Sequence, residues 1–146
     1  MRRLRSTPAI RAMVRETALD PCDFILPLFV RPGEGVNRPV ASMPGVSQMS
    51  ADVLVEECRS AVDDGVRSVL LFGIPEYKDA LGSSAYDENG IVPSAVRALK
   101  AALPDLMVIT DVCLCEYTDH GHCGAIRDGD VDNDATLDLL ARESIV

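Results

Sequence analysis

Three near-continuous apolar runs constrain this chain more than any other feature: FILPLFV at 24–30, VRSVLLFGI at 66–74 and LMVITDVCL at 106–114. Strands with one wet face alternate apolar and polar residues. Runs without that alternation belong to strands covered on both faces, the condition of a parallel sheet. Pro27 weakens the first run, because proline cannot donate to a ladder. Helical patterns separate the runs. In 50–65, Val53, Leu54, Cys58, Ala61 and Val62 share a face, with Ser50 placed as N-cap and Gly65 as stop. In 91–104, Val92, Val96, Leu99 and Leu103 do the same and Pro104 ends the pattern. The segment 131–146 offers Asp132, Asn133 or Asp134 as a cap and a stripe of Leu137, Leu140 and Ala141.

The order strand, helix, strand, helix, strand, helix predicts right-handed βαβ crossovers and an α/β fold. Two long segments, 31–49 and 75–90, follow the first and second strands and read as loops. Loops of that length are uncommon in compact domains unless they have a task, and the strand ends they follow are where parallel folds place their active sites. Three such units make a small layered sheet, or the amino-terminal portion of a (β/α)8 TIM barrel, which needs about 250 residues. The stretch LDLLARESIV keeps helical spacing as far as Val146, with no Gly or Pro to close it. The expectation is therefore a basic amino-terminal arm over 1–20 and an incomplete barrel domain over 21–146, truncated within a helix.

Charge narrows the partners. Fourteen basic against twenty-three acidic residues give a net charge of −9, which repels nucleic acid and anionic membrane alike. No apolar stretch is long enough for a bilayer, and none follows the first charges as a secretion signal requires. Neither nucleic acid nor membrane is expected as a partner, and the expected compartment is the cytoplasm. The exception to the acidic balance is the start, where Arg2, Arg3, Arg5, Arg11 and Arg15 form either a solvated tail or an arm lying on the acidic surface of a neighbouring subunit.

Residues 111–124, DVCLCEYTDHGHCG, hold three of the five cysteines and both histidines. If the third strand runs through them, Asp111, Cys113 and Cys115 project from one face, and Gly121 and Gly124 let the chain return with Cys123. Three thiols meeting in a reducing compartment suit a tetrahedral soft ion, zinc foremost, and three ligands with an open position describe a catalytic zinc. A fourth ligand from His120 or His122 would make the site structural instead. Redox thiols and simple burial are the other readings of the cluster. Cys58 lies in a helical apolar pattern and reads as a core residue, and Cys22 has no assigned part.

The motif closely resembles the zinc-dependent branch of the porphobilinogen synthase family, also called 5-aminolevulinate dehydratase. So do RLRSTPAIRAMVRET, FILPLFV, MPGV, SVLLFGIP, GSSAYDENGIV and VDNDATLDLLA, in the family's order. Members that do without this zinc carry other residues where Cys113, Cys115 and Cys123 stand. The resemblance implies a TIM barrel whose amino-terminal arm embraces a neighbour, usually in a homo-octamer. It implies condensation of two 5-aminolevulinate molecules to porphobilinogen for haem, through Schiff bases on two lysines of later strands. It further implies Zn2+ held by Cys113, Cys115 and Cys123, Asp111 as an active-site carboxylate, and, in the full-length protein, room for an allosteric Mg2+. The lysines present, Lys78 and Lys100, lie in a loop and near a helix end, so residues 1–146 alone are expected to be inactive. A chain complete at this length would instead be a free-standing cysteine-rich zinc-binding or interaction module.

Overall fold

The computed structural model describes residues 2–146. Its elements, in chain order, are α1 (Pro8–Met13), β1 (Ile25–Val30), β2 (Asn37–Pro39), β3 (Ser47–Met49), α2 (Ala51–Asp63), β4 (Ser68–Gly73), α3 (Ile91–Ala102), β5 (Met107–Thr110), β6 (Ile126–Arg127), β7 (Asp130–Val131) and α4 (Asn133–Glu143). Single 3₁₀ turns lie at Arg2–Arg5, Pro21–Asp23, Ser83–Tyr86 and Leu114–Glu116.

The framework is the one the apolar runs predict. β1, β4 and β5 are parallel neighbours in that order, with Leu28 opposite Leu71 and Leu71 opposite Thr110. On one face Leu28, Val30, Val69 and Leu71 meet Leu54 and Cys58 of α2 and Ala95 and Leu99 of α3. The opposite face is also apolar, which explains the lack of alternation, but no helix covers it among the described residues. There Phe29 and Phe72 lie 5.7 Å apart between ring centroids, and Ile25 at the strand's start is 53% exposed. The outer edge of β5 has no strand beside it among the described residues.

Helix ends follow local chemistry. α2 finishes in a Schellman motif: Gly65 adopts φ 99°, its N–H reaches Val62 O (3.0 Å), and Val66 N–H reaches Ala61 O (2.9 Å). Ser50 occupies the N-cap position of α2, yet its hydroxyl makes no bond to the helix backbone and accepts instead from Val36 N–H (2.9 Å). Asp132 is the residue that caps α4, accepting from Ala135 N–H (3.1 Å).

Three expectations need correction. The segment 31–49 is not a structureless loop: β2 and β3 form an antiparallel hairpin, and β3 lies parallel to the end of β1, with Val30 opposite Met49. Three-residue strands are too short to show a period. The buried side of α4 is Thr136, Leu139, Leu140 and Glu143; Leu137, expected inside, is 63% exposed and Ala141 is exposed. The cause is its partner. α4 packs on a second cluster of Ala85, Leu114 and Tyr117, not on the main core. Helical structure stops at Glu143 and does not continue to Val146.

Residues 2–20 lie outside both cores, with no buried side chain. Pro21 marks the entry to the packed region, where its ring sits against Gly65. No helix among the described residues is long and apolar enough to cross a membrane.

Candidate metal centre

Strand β5 ends at Thr110, so strand alternation does not organise the cysteines. Asp111 N–H still reaches Leu71 O (3.4 Å), after which the chain leaves the sheet. Cys113 is extended, and Leu114–Glu116 forms a 3₁₀ turn. Residues three apart eclipse one another in such a turn. Leu114 and Tyr117 therefore point the same way, and both are buried. Cys113 and Cys115 are left at the partly exposed surface. Gly73 at the end of β4 makes room for this arrangement, since a Cβ there would collide with the Tyr117 hydroxyl and Val92.

The return passes through Gly121, at φ 74°, and brings Cys123 back. Cys113 Sγ lies 3.3 Å from Cys115 Sγ and 3.3 Å from Cys123 Sγ. All three sulfurs fall within 4.8 Å of one another. Sulfurs bound to one tetrahedral zinc at about 2.3 Å stand roughly 3.8 Å apart, so modest spreading admits the ion. The soft donor set fits zinc in kind as well. Neither histidine joins this group among the described residues. His120 instead braces the loop, with Nδ1 accepting from His122 N–H (3.1 Å) and Nε2 lying 3.1 Å from Ala80 O. Those partners assign the proton to Nε2 and leave His120 no free lone pair in this arrangement.

Carboxyl groups surround the sulfurs. Asp111, Cys113 and Glu116 place ligand-type atoms within 4.8 Å of one another. Burial raises the Glu116 carboxyl, and the charge of Asp111 adds to the effect. Burial likewise pushes Glu143 up to about 7, with Glu116 and Asp111 contributing. The Cys115 thiol is pushed up to about 12 by burial, then by its contact with Cys113 and the charge of Glu116, and burial raises Cys113 too. Without a cation this is a place where negative charge is unwelcome. A divalent ion reverses that preference by stabilising the thiolates and carboxylates. A cavity of about 330 Å³ adjoins, lined by Val92, Val96, Val108, Thr110, Asp111 and Glu143 among others. Among the described residues, Asp111 alone belongs both to this cavity and to a ligand cluster, the one it forms with Cys113 and Glu116.

The sequence model of one protein family, Delta-aminolevulinic acid dehydratase, matches residues 1–146. The chain belongs to that family. The delta-aminolevulinic acid dehydratase of Halalkalibacterium halodurans is 55% identical over 144 residues, which are 99% of this chain and 44% of that protein. The Helicobacter pylori dehydratase is 50% identical over 147 residues, 100% of this chain and 46% of that protein. Among solved structures, the Toxoplasma gondii dehydratase (porphobilinogen synthase), in complex with its reaction product porphobilinogen, superposes with a TM-score of 0.94 at 35% identity, over 99% of this chain and 42% of the other. The chain thus spans less than half the length of these dehydratases. Its three βα units are the amino-terminal portion of the dehydratase family's TIM barrel, without closure.

The sequence motif directs attention to Asp111, Cys113, Cys115 and Cys123; the fold brings the three cysteines together and sets Asp111 beside Cys113 in a second group with Glu116. It gives no signal for Glu143, which arrives from α4, and the carboxyl of Glu116 passes unremarked inside the motif. Nor does it reveal Asp79, whose backbone bonds to Tyr117 and Asp119 tie the segment 75–90 to the cysteine loop.

Proposed function

We propose that these residues form the zinc-binding portion of a porphobilinogen synthase, a cytoplasmic enzyme condensing two 5-aminolevulinate molecules to porphobilinogen in haem biosynthesis. The observation that carries the reading is the convergence of three sulfurs at the carboxyl end of a barrel strand, in a chain matched from end to end by that family. Cys113, Cys115 and Cys123 hold the ion. When bound, zinc supplies Lewis acidity, polarising a carbonyl or lowering the pKa of bound water without redox change.

The chain's own residues set the conditions around it. Leu114 and Tyr117, buried, fix the turn that presents Cys113 and Cys115. Asp111, shared between the cavity and the group it forms with Cys113 and Glu116, orients the substrate amine or relays protons. The carboxyls of Glu116 and Glu143, both raised by burial, favour a cation and a positively charged substrate amine over an anion. The lysines take no part. Lys100 Nζ is engaged by Leu106 O (2.6 Å) and Pro104 O (3.2 Å), and Lys78 is exposed in the 75–90 segment. The Schiff-base chemistry of the family therefore falls to residues outside these 146. The segment 1–20, rich in arginine and with no buried side chain over residues 2–20, serves as the arm that embraces a neighbour in a homo-octamer, and the complete enzyme has room for an allosteric Mg2+.

The test uses the polypeptide as its source cells make it, identified by a peptide covering 111–127. A mass well above 15.7 kDa, one zinc per Cys113–Cys115–Cys123 set and porphobilinogen formation are expected. Residues 1–146 alone are expected to form none. Porphobilinogen made by residues 1–146 and abolished by Lys78→Ala would overturn this placement of the chemistry.

A further inference from the structure

Cys113 and Cys115 owe their position to the burial of Leu114 and Tyr117. Cys123 has no such support, being exposed in a stretch without helix or strand. Its sulfur nonetheless stands 3.3 Å from that of Cys113. Two buried hydroxyls bracket it. On the amino side Thr118, 1% exposed, donates from Oγ1 to His122 O at 2.8 Å. On the carboxyl side Thr136, 5% exposed, accepts from Ala125 N–H at 3.1 Å while donating to Asp132 O at 2.6 Å. The second bond spends the hydroxyl's only proton on its own helix and leaves a lone pair for the loop. Gly124 completes the clamp, because any Cβ there would run into Thr136 and Val131. The backbone is thus fixed one residue before Cys123 and two residues after it.

We propose that Thr118 and Thr136 are positioning residues for the third thiolate, holding the loop so that Cys123 meets Cys113 and Cys115 before any ion arrives. The proposal rests on the reading of the three cysteines as zinc ligands. A site assembled in advance spares the ion the ordering of a loop, and groups that orient metal ligands in this way typically govern affinity by about 10- to 100-fold. Neither threonine lines the adjoining cavity, and both hydroxyls are engaged with backbone groups. Their effect is on how many thiolates the ion finds.

The experiment uses the metal-free native polypeptide, titrated with zinc against a chelator of known affinity and with cobalt(II), whose thiolate charge-transfer absorption counts the sulfurs. Thr118→Val and Thr136→Val are expected to weaken zinc binding by about 10- to 100-fold and to lower the cobalt absorption from a three-thiolate to a two-thiolate intensity. Thr118→Ser and Thr136→Ser are expected to retain both. A merely structural role would lower the urea midpoint and leave the thiolate count alone. Should a valine variant fail to fold, Thr118→Ala and Thr118→Ser provide the comparison, since both lose the methyl and differ only in the hydroxyl. Equal zinc affinity and equal cobalt spectra in that pair overturn the proposal while leaving the cysteines as ligands. Absence of thiolate absorption in the unaltered protein would instead overturn the zinc reading itself, and the proposal with it.

Discussion

The helix-covered side of the sheet and the cysteine loop are held by different kinds of interaction. Leu54, Cys58, Leu71 and Leu99 are fixed by area: each touches many neighbours, and no single contact decides the position. The loop over 117–125 depends on individually placed groups, among them the Thr118 and Thr136 hydroxyls, the His120 ring and a glycine that cannot accept a side chain. The core tolerates exchange among apolar residues of similar volume. The loop does not, because removing one donor or adding one methyl alters a defined position. Stability and metal affinity are therefore expected to respond to different residues.

The largest expected effect tests the loop alone. Cys123→Ala removes one of three thiolates and is expected to weaken zinc by about 4 kcal/mol, a third of the roughly 12 kcal/mol that a thiolate-rich site supplies. As Cys123 is exposed, the urea midpoint of the metal-free protein should stay where it is; a large shift would break the separation. Leu71→Ala is the converse. It empties space beneath α2 and α3 and is expected to cost about 3 kcal/mol of stability, read from denaturant unfolding of the native polypeptide, with zinc affinity unchanged in the folded protein.

Gly124→Ala should move both readouts, since Thr136 and Val131 must give way. About 2 kcal/mol of stability and a measurable part of the zinc affinity are expected to go together. The smallest effect concerns Asp79, whose carboxylate accepts from Leu81 N–H, Ser83 N–H and the Ser83 hydroxyl. The Ser83 hydroxyl above all holds that carboxyl below its ordinary value. A carboxyl lowered on folding stabilises the protein above its unfolded pKa, near 3.9, and this contribution is lost as pH falls through the folded value. Asp79→Asn is expected to cost about 1 kcal/mol at pH 7 and nothing once both forms are neutral, as measured by unfolding across that range.

The contrast between core and loop also explains what the sequence made legible. The faces of α2 and α3 follow from periodicity, because many residues vote for the same phase. Gly65 reads correctly as a stop because only a residue at ease with φ 99° fits there. α4 was readable as a helix but not in phase: Leu137, Leu140 and Ala141 offer one stripe and Leu139, Leu140 and Glu143 another, and only the tertiary partner chooses between them. The meeting of the three sulfurs was legible from their density in the motif, though not its cause. Strand alternation gave the right juxtaposition for the wrong reason, as the 3₁₀ turn replaces the strand where Leu114 and Tyr117 find a second core. Side chains brought from afar, such as Glu143 and Thr136, leave no local pattern to read.

The link between Asp79 and the cysteine loop bears on time as well as place. Asp79 N–H bonds to Tyr117 O (3.3 Å) and Asp119 N–H to Asp79 O (3.1 Å), so two consecutive loops share a short parallel bridge. Segments joined in this way open as one cooperative unit. On the zinc reading proposed above, release of an ion from the three sulfurs is expected to wait on a shared fluctuation of both loops, joined by a residue forty positions before the Asp119 that it bonds.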